Sequence, residues 1–365
     1  MMVRDESPII DRCLRSVLPH IDSWLVIDTG SVDDTPTRVA EMLGGIPGQL
    51  LHRPWRNFGE NRTELLTLAR NHADWLLLVD ADMVVECDGD LRQHLQEETD
   101  VDAWLANVSV ADLEYAMPYL LRGDRRWRYV GVTHEYLVTG GRRTQRLREL
   151  QFLNLADGHS RADKHRRDRQ LLEAENDHRP DDPRTLFFLG QTCRGMGNID
   201  AALGYYRRRV GLGGHDEETF YAQYQIGILE MDRDWDIAVA ELVRSSAMRP
   251  TRAEPHFRMA VGLRRRGQWS EAFASAERGM ALPRPTDEVL FVSPWIYHWG
   301  LRFERSMSAP HVGRLDQAIA DTELLLADPG FPRHGALTFP GLVELARRNL
   351  STWRSGGTAE PGWTA

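Results

Sequence analysis

The 365-residue sequence predicts an α/β domain followed by an all-α domain of repeated helix pairs, and three observations carry that reading. Short apolar runs, "WLVID" (24–28), "WLLLVD" (75–80) and "AWLANVSV" (103–110), alternate with helical stretches such as "SPIIDRCLRSVL" and "GENRTELLTLAR", the pattern of a parallel sheet with crossover helices. After residue 180 such strand-like runs stop. In their place a motif recurs: "GNIDAAL" from 197, "RDWDIAV" from 233, "GQWSEAF" from 267 and "GRLDQAI" from 313, spaced by 36, 34 and 46 residues.

Each element follows from its residues. The second apolar run continues as "WLLLVDADMVV" (75–85), so Asp80 and Asp82 stand one residue apart where the strand stops. Ligands of parallel α/β sheets bind outside the carboxyl ends of the strands. Two carboxylates there offer hard oxygen ligands to Mg²⁺ or Mn²⁺; the competing reading is a turn or a helix cap. The first run also stops at an acid, Asp28, followed by a Thr-Gly-Ser turn and a helix opened by Asp34, Thr35 and Pro36. In the second half, each motif copy carries alanine at its sixth position (Ala202, Ala238, Ala272, Ala318), the small residue that lets paired helices approach, and the spacing is close to the 34-residue tetratricopeptide period. An insertion holding "PWIYHWG" (294–300) separates the third and fourth copies; its aromatics read first as core and second as a stacking platform. Residues 1–165 form the first domain by this reading, 166–350 the helical domain and 351–365 a disordered tail.

Composition removes several function classes. A chain 42% hydrophobic and 27% charged with a formal net charge of −9 is globular and lacks the clustered positive charge of a nucleic-acid binder. Lys164 is its only lysine. Cys13, Cys87 and Cys193 form no CxxC pair, which fits a reducing compartment. With no run long enough to span a membrane and no signal-peptide core in "MMVRDESP", the expected location is cytoplasmic.

Taken together, "MMVRDESPIIDRCLRSVLP", "VIDTGSVDDT", "FGENR", "LLLVDADM" and "YVGVTHEYL", in this order and spacing, resemble a family 2 glycosyltransferase of the GT-A fold. The resemblance covers about residues 1–165, and the fusion to tetratricopeptide repeats is similar to a bacterial subgroup that modifies peptides and secondary metabolites, as in antibiotic biosynthesis. It implies an inverting transfer of sugar from a nucleotide sugar, a UDP-sugar by family habit, to a peptide or small-molecule acceptor. It also implies that Asp28 meets the nucleotide base, that Val3, Arg4 and Glu6 of "VRDE" line its pocket, that Asp80 and Ala81 lie near the ribose and the metal, and that Asp82 ligates the metal. Arg62 matches the family's arginine in "FGENR". Two departures stand out: only Met1 to Val3 remain of the strand that usually precedes "VRDE", and Met83 follows the DAD triplet where relatives often carry an acid.

Transfer requires a base for the acceptor. By the resemblance that base is Glu135 of "VTHEYL", while His134 beside it binds metal, orients the acceptor or points into the core. Downstream, "LADGHSRADKHRR" (155–167) supplies His159 as a further metal ligand and Arg161 and Lys164 for phosphate oxygens, with Arg166, Arg167 and Arg169 on a solvated helix face. A homodimer through the repeat domain is expected, with no nucleic-acid or membrane partner. Two rivals differ in class: a degenerate nucleotide-sugar-binding domain on a tetratricopeptide scaffold, and a sugar-phosphate nucleotidyltransferase, against which the lack of a glycine-rich basic loop counts.

Overall fold

The computed structural model describes residues 1–98, 100–158, 164–334, 337–338 and 341–357, and divides the chain into two compact units. The first comprises Met1–Val110 and Tyr115–Asn198; the second comprises Ala111–Glu114 and Ile199–Ala365.

In the first unit, β1 (Met2–Val3), β2 (Trp24–Asp28) and β3 (Gly48–His52) form a three-stranded parallel sheet, with Val3 opposite Asp28 and Asp28 opposite His52. Helices α1 (Ile10–Val17) and α2 (Thr35–Leu43) supply its crossovers, and Ile10, Leu14, Val26, Val39 and Leu43 meet in one apolar cluster. Helix α3 (Phe58–Ala69) follows β3. The second sheet departs from the parallel expectation. Its order is β4-β7-β6-β10-β5, with β4 (Trp75–Leu77), β5 (Met83–Cys87), β6 (Ala103–Val110), β7 (Leu113–Arg122) and β10 (Thr144–Asn154). The pairs β4–β7 and β5–β10 are antiparallel; β6–β10 is parallel. The physical reason is connection length: Ala111 and Asp112 alone join β6 to β7, far too few residues for a parallel crossover. Helix α4 (Leu91–Glu97) links β5 to β6, and the two-residue strands β8 (Tyr129–Val130) and β9 (Tyr136–Leu137) form an antiparallel pair around the segment that carries His134 and Glu135.

Contacts carry the first unit past residue 165, to Asn198, because α5 (Lys164–His178) and α6 (Pro183–Gly195) bring Asp168, Arg184 and Phe188 against His134. In the second unit, α7 (Ile199–Leu212), α8 (Asp216–Glu230), α9 (Trp235–Met248), α10 (Glu254–Arg265), α11 (Trp269–Met280), α12 (Leu301–Ser308), α13 (Leu315–Ala327) and α14 (Leu342–Arg354) each pack on the next. The four motif copies open α7, α9, α11 and α13, and Ala202, Ala238, Ala272 and Ala318 are all fully buried. Facing helices use glycine for the same purpose: a Cβ on Gly262 would stand 2.2 Å from the Trp235 ring. The aromatic insertion is core, as its first reading held. Trp295 and Trp299, the latter in a π-helical turn (Ile296–Gly300), pack with Phe257, Phe303 and Phe331. Of the segment expected as a tail, Ser351–Arg354 are instead the last turn of α14, with Trp353 buried beside Phe273, Ala309 and Ala318, and residues 358–365 lie outside the described residues. Among the described residues no helix is long and apolar enough to cross a membrane.

Candidate active site

Two loops at the carboxyl ends of β1 and β2 are laced together by short polar side chains. The Asp28 carboxylate accepts hydrogen bonds from the Gly30 and Ser31 amides at 3.2 Å and from the Ser31 hydroxyl, with His52 Nδ1 also 3.2 Å away. Across the gap, the Asp5 amide donates to Ser31 Oγ (2.9 Å), the Val32 amide to Asp5 Oδ1 (2.7 Å) and the Ser7 amide to Asp33 Oδ2 (3.1 Å). Against its partial burial, hydrogen bonds from Thr35 and Ser7 pull the Asp33 carboxyl down to about 2. Asp28, only 2% exposed, is thereby occupied with its own turn.

The "FGENR" pentapeptide gives each residue a task. Phe58 stacks edge-on against Trp55, and its amide donates to the Val132 carbonyl (3.2 Å). Gly59 permits the closest approach in the region: a Cβ there would lie 2.3 Å from the Gly131 carbonyl oxygen. Glu60 closes the helix start, its amide donating to the Asn57 side chain at 2.8 Å and its carboxylate accepting from Asn57 Nδ2 at 2.7 Å. Asn61, fully buried, pins the preceding loop by donating to Pro54 O and accepting from the Arg56 amide. One turn in, Arg62 points to the second sheet.

Arg62 is the centre of the site. Its Nη2 donates to Asp80 Oδ1 at 2.7 Å, and its Nε lies 2.5 Å from Glu135 Oε1. The triplet Asp80–Ala81–Asp82 is itself a turn, closed by the Met83 amide on Asp80 O (3.1 Å), and both carboxylates of that turn line the same cavity. These groups line a cavity of about 440 Å³ within the first unit, shared with Val3, Arg4, Glu6, His134 and Lys164. Asp28 is not in its lining, while Thr29 is. Burial disfavours charge on Arg62, yet Asp80 and Glu135 hold its pKa well above the usual guanidinium value. Burial raises the Glu135 carboxyl above its ordinary range, with Arg62 pulling the other way. Cys13 donates to the Asp80 carbonyl (3.2 Å), and burial pushes its thiol up to about 12, too high for a nucleophile at neutral pH.

His134 sits at φ +50°, a left-handed conformation that non-glycine residues rarely adopt. Three contacts hold it: its ring stacks on Phe188 at 4.1 Å and 1°, its Nε2 lies 3.6 Å from Asp168 Oδ2, and its carbonyl accepts from Arg184 Nη2 at 3.1 Å. Burial, reinforced by Lys164, Arg184 and His165, keeps its pKa well below the usual histidine range, so the ring is neutral at pH 7. Asp168, 1% exposed, accepts from Thr133 Oγ1 at 3.2 Å. His159 and Arg161 lie outside the described residues.

Sequence reasoning missed Asp168 and misassigned Arg167. Arg167 was expected on a solvated face, but it lines the cavity with its guanidinium 5.3 Å from the Phe58 ring centre. The aromatic wall of Trp55, Phe58, Tyr115 and Tyr129 was also unforeseen. A buried position in a run of charge, Asp168 at the same helical phase as Leu172, was the available signal. For a divalent cation, Asp80 and Asp82 supply the oxygen chemistry that Mg²⁺ and Mn²⁺ take, and such ions commonly use one or two carboxylates, waters and substrate phosphates. Among the described residues no group of three or more His, Cys, Asp or Glu side chains is gathered for a metal.

Residues 1–143 match the family described as Glycosyl transferase family 2, whose members typically use a divalent metal. The chain is 37% identical over 100 residues to a TPR repeat-containing protein of Synechococcus elongatus, covering 27% of this chain and 23% of that one. It is 31% identical over 98 residues to an uncharacterized glycosyltransferase of Rickettsia felis (27% and 30%) and over 128 residues to one of Rickettsia prowazekii (34% and 39%). The chain thus spans less than two fifths of the length of each of these relatives. Among solved structures, the TPR protein YrrB aligns at 12% identity over 45% of this chain and 77% of that one, TM-score 0.35. Residues 1–143 thus match a family 2 glycosyl transferase domain, and the all-helical region that follows holds the four copies of the motif spaced near the tetratricopeptide period.

Proposed function

We propose that the protein is an inverting, metal-dependent glycosyltransferase that moves a sugar from a nucleotide sugar, with UDP-sugars favoured, to a peptide or small-molecule acceptor in the cytoplasm, and that it works as a homodimer through its repeats. The observation that carries the reading is the single guanidinium of Arg62 joining Asp80, in the DAD turn, to Glu135, in one cavity. Metal motif and base are otherwise 55 residues apart in sequence.

A cation held by Asp80 and Asp82 would neutralise the leaving diphosphate. Val3, Arg4, Glu6 and Ala81 border the space for the nucleoside, with Asp28 ordering the neighbouring turn, and Lys164 and Arg167 offer positive charge to phosphate oxygens. His159 and Arg161 would complete these sets. An acceptor hydroxyl, amine or thiol forms the new bond to the sugar C1 as the bond from C1 to the phosphate oxygen breaks; its proton passes to the Glu135 carboxylate, and the nucleoside diphosphate carries away the electron pair. One oxygen of Glu135 lies on Arg62, which leaves the other for the proton. Neutral His134 orients the acceptor.

Incubation of the purified protein with nucleotide sugars and Mn²⁺, followed by assay of free nucleoside diphosphate, tests the reading. Slow release that stops in Asp82→Ala supports it. Nucleotide-sugar binding without any release would instead establish a binding module on a helical scaffold.

A further inference from the structure

The pairing of Asp80 has a cost for any metal that is to bind there. A carboxylate already engaged by a buried guanidinium offers that oxygen to a second cation only if the first lets go, and two cations on one carboxylate repel at short range. Arg62 differs from a fixed structural arginine in having an alternative partner within reach: Nη2 is 2.7 Å from Asp80 and Nε is 2.5 Å from Glu135, so releasing Asp80 leaves the charge compensated by Glu135. The side chain is anchored one turn into α3, whose start is fixed to the 131–132 backbone by Phe58 and Gly59, so a small rotation of the fork suffices. Its planar donors allow two partners at once, which a lysine ammonium does less well.

We propose, on the footing of the metal-dependent reading above, that Arg62 competes with the divalent cation for Asp80: in the metal-free protein it holds Asp80 and Glu135 together, and on metal binding it gives up Asp80 and stays with Glu135. Arg62 is then a positioning residue that couples the filling of the metal site to the environment of the base. The direction of its effect separates this role from simple scaffolding. A residue that only holds Asp80 in place helps the metal; a competitor hinders it.

The test is titration of the full chain with Mn²⁺ alone, bound ion being read from the loss of the free Mn²⁺ electron paramagnetic resonance signal. Losing a hydrogen bond between charged groups is worth about tenfold or more in an equilibrium constant, so Arg62→Gln is expected to bind Mn²⁺ about tenfold more tightly than the unaltered protein. Arg62→Lys, which keeps a buried positive charge and guards against a folding failure of the first variant, is expected to show a smaller gain. In an Asp80→Asn background, Arg62→Gln should give no gain. Unchanged or weaker Mn²⁺ binding in both Arg62 variants overturns the inference, as does an equal gain in the Asp80→Asn background, which would mark a through-space charge effect; the proposed function survives either result. If the unaltered protein and all variants fail to bind Mn²⁺, the metal-dependent reading falls and the inference with it.

Discussion

Glu135 shares its guanidinium with Asp80 and is lifted above the ordinary carboxylate range by burial, so its chemistry is separable from its structural pairing. Glu135→Gln keeps size and hydrogen bonding but cannot take a proton. Transfer should fall by roughly two to four orders of magnitude while nucleoside-diphosphate binding, measured by calorimetry, is kept; loss of both would make Glu135 structural. The ionised form is the active one, so the acid limb of the rate profile should fall at a pH above the ordinary 4.5 of a glutamate. His134 makes a prediction about stability. Its folded pKa lies below the ordinary 6.5, so as pH drops through that value the unfolded chain takes a proton that the native chain refuses. Stability contributed by neutral His134 is complete above 6.5 and erodes below it. His134→Asn, which tolerates the left-handed backbone, should flatten the urea-midpoint profile between pH 6.5 and 5 by about one proton's slope; an unaltered slope would show that His134 is protonated in the fold.

At the scale of elements, helix α3 and the β8–β9 segment meet at a point where only glycine fits. Gly59→Ala must push the helix away from the Gly131 carbonyl, since the clashing atom is backbone and not the end of a flexible side chain, and Arg62 moves with it. A loss of about 1–3 kcal/mol in stability should accompany loss of transfer; a variant of normal stability and activity would mean that the approach is looser than 2.3 Å implies. Much of this was legible beforehand. The "WLVID" run is β2 to the residue, and all four alanines of the repeat motif are fully buried, because both signals are local: an apolar run and a fixed period. Strand direction in the second sheet was not legible, since the partners β5 and β10 lie more than fifty residues apart and an apolar run does not encode which way its neighbour runs. The cavity residues divide the same way. Asp80 and Asp82 announce themselves where an apolar run stops and Glu135 through the family resemblance, whereas the partner of His134, Asp168, hides in a charge-rich helix where burial depends on what packs against it.

For the whole molecule, the division after Asn198 predicts where a catalytic fragment can end. A fragment of residues 1–165 lacks Asp168, Arg184 and Phe188 and should be poorly folded by circular dichroism and unable to bind nucleotide; residues 1–198 should fold and bind. Equal behaviour of the two fragments would remove any part for α5 and α6 in holding His134. One feature of composition becomes a practical handle at this scale. Lys164, at the start of α5 and in the lining of the cavity, is the only side-chain amine in 365 residues. An acylating dye has a single side-chain address beside the α-amine, and that address is the candidate active site: its modification should be slowed by a bound nucleoside diphosphate, and peptide mapping should find the side-chain label on one fragment alone, so the chain carries a ready-made occupancy reporter without any engineered residue.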